Sequence, residues 1–217
     1  MKTLKYAFKK EWYNIILLMV PFIAIPFIWG HLPNTMATHW NAHGKVNGYN
    51  SKAFGVLFVP FLNIGIYLLL LYLPYIDPKK RIKTDQKPIP VLRTVIIAFL
   101  LAVHTWSVGV NLGMQISALQ WIYPGIGLFL IIFGNYMRTI EPNYFIGIRV
   151  PWTLEDSRNW RQTHRMASYL WVVGGLLLII TFPLLSQKIY GDFFIAVVIV
   201  LALVPAIYSF YLFETES

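Results

Sequence analysis

The chain has 217 residues, of which 57% are hydrophobic and only 12% charged. A soluble domain carries about 25% charged residues, so this composition excludes an ordinary water-facing surface and makes the bilayer the natural solvent. The net charge of +9 stands in short segments between apolar runs, which points to topology control and contact with anionic lipid headgroups, not to direct nucleic-acid binding.

In chain order, Lys2, Lys5, Lys9 and Lys10 precede an apolar stretch at 12–30. That stretch is long for a signal-peptide core and lacks a small-x-small cleavage site, so it reads as an uncleaved first membrane helix. The loop that follows is polar and rich in glycine and asparagine. Asn34 is placed to cap a short helix carrying Met36, His39 and Trp40, with Gly44 and Gly48 at turns. Trp40 and Tyr49 suit the headgroup level. His39 and His43 are four apart and would share a helical face, a spacing that can chelate a metal. The intervening Trp-Asn-Ala lacks the glutamate of the metalloprotease motif, and Gly44 ends the helix. An ordered loop with hydrogen-bonded histidines is the expectation, with no metal or cofactor; metal held by the external histidines is the alternative.

A second span at 54–76 carries Asn63. The stretch 89–136 is too long for one span, and Asn111, Gly113 and Gln115 interrupt it midway, which predicts two helices joined by a tight turn. In the first of these His104, Ser107 and Asn111 fall on one face, where intramembrane polar groups ordinarily form interhelical hydrogen bonds or line a small polar cavity. Next comes a loop holding Asn135, Asn143, Arg149 and Trp152. Its short apolar piece at 145–150 predicts an interfacial or re-entrant strand-like segment. Arg149 would then be a buried cation, with Glu141, Glu155 or Asp156 as partner. Thr153 and Asp156 resemble a capping box, predicting a helix from near Leu154 that runs on into the fifth span. On it Arg158, Arg161 and Arg165 share one face, while Trp160, His164 and Trp171 form another. Such stripes suit a membrane interface, a phosphate-bearing ligand or an acidic partner. Spans at 166–185 and 193–213 complete the chain.

The expected fold is therefore all-α: a single polytopic membrane domain over 1–217, a bundle of six transmembrane helices with both termini in the cytoplasm. The charge split supports this orientation. Fifteen basic residues fall in the segments it places inside, including Lys79, Lys80, Arg81, Lys83, Lys87 and Arg93, against Lys45, Lys52 and Lys188 outside. A buried turn within 89–136 would instead leave five spans and an external C-terminus.

An enzyme is hard to build from these residues. The chain has no cysteine, hence no thiolate nucleophile or thiolate metal site. Its carboxylates lie at the expected interfaces and ends, no span carries a carboxylate pair, and no nucleophile-elbow serine or phosphate-cradling loop is present.

Two loops resemble known families. Leu32-Pro33, His39-Trp40, Gly44 and Ser51-Lys52, within an extracytoplasmic segment at 31–53, resemble a domain of unknown function, DUF1648, of Gram-positive membrane proteins. Gly134-Asn135, the run from Pro142 through Asn143, Gly147 and Arg149 to Leu154, and Trp160-Arg161-Gln162-Thr163-His164-Arg165, within 134–170, resemble the signature of the SdpI family. Val150 stands where threonine is expected. The resemblance implies a membrane receptor and immunity protein in the bacterial cell membrane. It would protect against a secreted peptide toxin and hold a small repressor protein at the membrane. His39, Trp40 and His43 would then meet the toxin, and Lys79, Lys80, Arg81, Arg149, Arg158 and Arg161 a cytoplasmic partner. A small-ligand transporter or membrane enzyme using His104, Asn111 and Arg149 is the competing reading. Oligomeric state is not readable from the sequence.

Overall fold

The computed structural model describes residues 9–78, 82, 89–115 and 118–216. Lys2, Lys5, Lys79, Lys80, Arg81, Lys83 and Lys87 lie outside the described residues. In chain order the described residues form helix α1 (Trp12–Ile28) ending in a 3-10 turn (Trp29–His31), strands β1 (Thr35–Trp40) and β2 (Val46–Ser51), and helices α2 (Lys52–Ile76), α3 (Ile89–Asn111) and α4 (Ala118–Met137). A one-turn helix α5 (Pro151–Glu155) and helices α6 (Ser157–Thr181) and α7 (Gln187–Glu216) follow.

Among the described residues five helices are long and apolar enough to cross a membrane: Trp12–His31, Lys52–Ile76, Ile89–Asn111, Ser157–Thr181 and Lys188–Thr215; Trp121–Met137 is a shorter apolar helix. Their outward faces carry side chains such as Phe27 (77% exposed) and Ile207 (64% exposed), a surface for hydrocarbon rather than water. The chain is a polytopic helical membrane protein. The stretch 89–136 breaks into α3 and α4 where its polar residues interrupt it.

The residues cluster into two compact units, one from Met1–Tyr72 with Arg93–Ile122, the other from Leu73–Leu92 with Tyr123–Ser217. In the first, α1, α2 and α3 alternate in direction. Leu18, Tyr67, Leu71 and Ile97 pack together in one half, while Leu32, Met36, Val56 and Val108 pack in the other. The start of α2 therefore lies beside the end of α3, and the hairpin sits on that end.

In the second unit, α4 and α6 run antiparallel and approach closely through glycine. A Cβ on Gly127 would meet the Gly175 carbonyl and Ile179, and one on Gly134 would meet Ser168 and Trp171. Small residues let membrane helices approach to backbone contact, which supplies packing where lipid gives no hydrophobic drive. A second antiparallel partner of α6 is α7, tied by Trp171 Nε1–H to the Leu201 carbonyl at 3.1 Å and Tyr190 O–H to the Leu178 carbonyl at 2.7 Å.

Two element expectations are corrected. The external loop forms no helix; it is a two-stranded antiparallel sheet. The helix expected from Leu154 is broken at Asp156, whose extended backbone (φ −109°, ψ 117°) separates α5 from α6. Asp156 caps α6, accepting from Arg158 N at 2.7 Å and Asn159 N at 3.1 Å. The helix that runs on into the fifth span accordingly begins at Ser157, not near Leu154.

Candidate functional site

The segment 139–165 consists of a loop, α5 and the start of α6, with the loop packed against that helix start. Asn143, 1% exposed, is its hub. Its Oδ1 accepts from Phe145 N and Ile146 N, both at 2.8 Å, and its Nδ2 donates to the Glu141 and Ile146 carbonyls at 2.8 and 3.1 Å. Four bonds saturate one side-chain amide and turn the chain back on itself. Gly147 follows at φ 116°, and a Cβ there would collide with His164 and Trp160.

His164 supports the far side of the loop. Its Nε2 accepts from Ile148 N at 3.1 Å, which fixes the proton on Nδ1, 2.8 Å from the Trp160 carbonyl. The Trp160 ring stacks on the imidazole at 4.0 Å and sends Nε1–H to the Ile140 carbonyl at 2.7 Å. Thr153 closes the loop. Its Oγ1 accepts from Val150 N at 3.0 Å and lies 2.9 Å from both the Ile148 and Val150 carbonyls. Thr153 thus closes the first turn of α5 from within, where a cap of the following helix was expected.

Around this closed frame the polar surface is exposed. Asn135, Arg149, Arg161 and Arg165 are all at the surface. Arg149 is not a buried cation; its guanidinium lies outside and Nη1 donates to the Tyr144 carbonyl. The segment 145–150 forms no strand. Trp160 and His164 are core side chains, not an interfacial stripe, at 0% and 1% exposure. Trp152 packs against Phe210 and Phe213, with ring centroids at 5.3 and 6.0 Å, and its buried Nε1–H has no acceptor among the described residues.

The first unit holds a buried ion pair. Arg93 Nη1 lies 3.3 Å from Glu11 Oε1, with both side chains at most 1% exposed. Tyr67 O–H donates to Glu11 Oε2 at 3.3 Å, and Asn14 Nδ2 reaches the same oxygen at 3.3 Å. One turn along α2, Asn63 Nδ2 donates to the Ile97 carbonyl at 3.2 Å. This cluster joins α1, α2 and α3 at the end remote from the hairpin. Arg93, expected among loop charges, is the buried cation, and Glu11, expected at an interface, is its partner.

The intramembrane polar face of α3 divides. His104 is buried, and its Nδ1 has no partner among the described residues. Asn111 serves the hairpin. Its Oδ1 accepts from Ala37 N at 2.8 Å and its Nδ2 donates to the Ala37 carbonyl at 3.0 Å and the Ser107 carbonyl at 2.8 Å. A side-chain amide here stands in for a neighbouring strand. Trp40 packs on Trp106 of α3 at 4.5 Å. His39 Nδ1 sits 2.5 Å from Asn47 Oδ1, while His43 lies in the turn, its N–H held by Asn41 Oδ1 at 3.0 Å. The two histidines do not share a helical face.

Sequence reasoning missed a third polar set. Asn159 donates to the Ser209 carbonyl at 2.9 Å and accepts from Ser209 Oγ at 3.0 Å and Thr163 Oγ1 at 3.1 Å. Asn159 and Thr163 are one turn apart in the signature run, the only local sign of this link to α7.

The chain is similar to known proteins along most of its length. A family model described as the SdpI/YfhL protein family matches residues 139–209, the loop with α5, α6 and most of α7. A domain of unknown function, DUF1648, matches residues 16–64, covering most of α1, the hairpin and the first half of α2. The Immunity protein SdpI of Bacillus subtilis (strain 168) is 30% identical over 206 residues, 93% of this chain and 92% of that protein. No solved structure matches the chain.

Proposed function

The chain belongs to the SdpI/YfhL protein family, and from that we propose that it is a multi-pass immunity protein of the bacterial cell membrane, protecting its host from a secreted peptide toxin. The near full-length similarity to a protein named for immunity carries this reading. In it the hairpin stands outside the cell with His39, Trp40 and His43, and the loop 139–165 stands in the cytoplasm. The Asn143 frame supports the reading, because the loop it orders and the start of α6 together present Arg149, Arg161 and Arg165 at the surface, as a partner surface requires. A small repressor protein held at that surface is the finer part of the proposal. A toxin that favours one arrangement of the helices would alter its presentation.

Deleting the gene in its native host tests the main claim. The deleted strain is expected to become sensitive to the host's own culture supernatant and to regain resistance on complementation. Unchanged sensitivity removes the immunity role. Repressor binding has a separate readout, the loss of a DNA-binding protein from the membrane fraction when Arg149, Arg161 and Arg165 are replaced by Gln.

A further inference from the structure

The hairpin has two edges, and among the described residues only one is met by a partner. Ala37 N–H and C=O point away from β2, since both bond to Asn111. Ala37 faces Tyr49 in register. Opposed residues of an antiparallel pair either exchange both their bonds or turn both outward. The N–H and C=O of Tyr49 therefore point away from β1. Lys52 N–H, bonded inward to the Asn34 carbonyl at 2.9 Å, fits the same alternation and turns Ser51 N–H outward as well. Among the described residues nothing meets these outward groups of β2, and the Tyr49 side chain is 62% exposed.

Two residues beyond Ser51 an open apolar face begins on α2, formed by Ala53, Phe54, Leu57, Phe58, Phe61 and Leu62. Phe54 and Phe58 stack at 4.7 Å along it. The chain thus offers a backbone donor–acceptor row and, directly after it, an apolar face on a membrane helix.

We infer that the β2 edge is a strand-addition site for a secreted, membrane-active peptide: an extended segment pairs with Tyr49 and Ser51, and the peptide's apolar continuation lies on the Phe54–Phe58 face. Alternating N–H and C=O groups along one line are matched by a peptide backbone and by no lipid headgroup. The edge is also rigid in advance. A lone two-stranded hairpin is marginal in water. This one is fixed by Asn111, by Trp40 on Trp106 and by Met36, which is fully buried. A peptide joining it need not order the receptor first. The inference rests on the immunity reading and names the part of the protein that would read the toxin.

The test separates the two. Proline at position 49 removes the outward N–H and leaves the inward bonds of Asn50 and Lys52 in place, which an edge strand tolerates. In cells expressing the full chain and challenged with the native host's culture supernatant, Tyr49→Pro is expected to lower the protective end-point dilution by up to about tenfold, the worth of one lost backbone bond. Tyr49→Val, which keeps the N–H, is expected to stay within about twofold of that dilution on the same reasoning. Equal protection by Tyr49→Pro at wild-type membrane levels overturns strand addition and leaves immunity standing; no protection by the wild-type chain removes both. Should Tyr49→Pro fail to accumulate, amide exchange of the wild-type chain in nanodiscs decides. The low-molecular-mass fraction of the supernatant must slow exchange at Tyr49 and Ser51, and unchanged exchange overturns the inference. The native chain is free of cysteine, so a spontaneous disulfide dimer of Tyr49→Cys would show the edge closed by a second copy and would also overturn it.

Discussion

Glu11 and Arg93 stand some eighty positions apart and meet in a place neither position announces. Each looked like an interfacial charge, since each lies at the edge of an apolar run. Spacing along one helix shows which residues share a face, but pairing across helices depends on how the helices cross, and no local pattern records that. The energetics follow from burial. Removing one partner of a buried pair leaves an uncompensated charge, at a cost of about 3–5 kcal/mol, whereas removing both can be nearly neutral. Glu11→Gln is therefore expected to lower the thermal midpoint of the detergent-purified protein sharply, and Glu11→Gln combined with Arg93→Met to recover most of the loss. A double variant no better than the single one would mean that the pair contributes little. Arg149 shows the opposite error. A cation beside an apolar run was expected to be buried, but Asn143 folds that run into a loop that presents the guanidinium outward.

At the scale of elements the helices were legible and the hairpin was not. Apolar runs of about 20 residues announce membrane helices because the bilayer fixes their length. The loop 31–53 carried two competing signals. Its histidine spacing suited a helix, while Gly44 and Gly48 suited turns. The contest is settled from outside the segment, by Asn111, 74 residues from Ala37, and by Met36 packing with Leu32, Val56 and Val108. Asn111→Leu is expected to leave α3 intact and to release β1. Leaving the buried Ala37 groups unmet costs about 1–3 kcal/mol, so amide exchange across 35–51 should quicken roughly 10- to 100-fold. Unchanged protection would show that the apolar contacts alone hold the sheet. The signature loop was legible as a special segment, but Trp160 and His164 were read as an interfacial stripe. With Asn143 and Thr153 they instead build the frame, and the exposed arginines remain as the candidates for contact.

For the whole molecule, orientation is the expectation least exposed to local error, because the positive-inside bias is a sum over loops and survives errors in any one of them. Moving Arg93 from the loops into α3 leaves the bias strong. A chain without cysteine makes the orientation easy to test. In intact cells a membrane-impermeant maleimide is expected to label His43→Cys, and to label Arg161→Cys only after permeabilisation. Labelling of both without permeabilisation would invert or break the assignment.

The buried ion pair also sets a schedule for assembly. The first helix leaves the ribosome carrying Glu11, and its counter-charge is not made until the third helix emerges. At ~5–20 residues per second the carboxylate waits several seconds or more. During that interval it must stay at the bilayer surface, bind a proton or rest against the insertion machinery. Final seating of the first helix is thereby coupled to arrival of the third, so a chain truncated before Arg93 would hold its first segment loosely and present it to the proteases that clear unfinished membrane proteins.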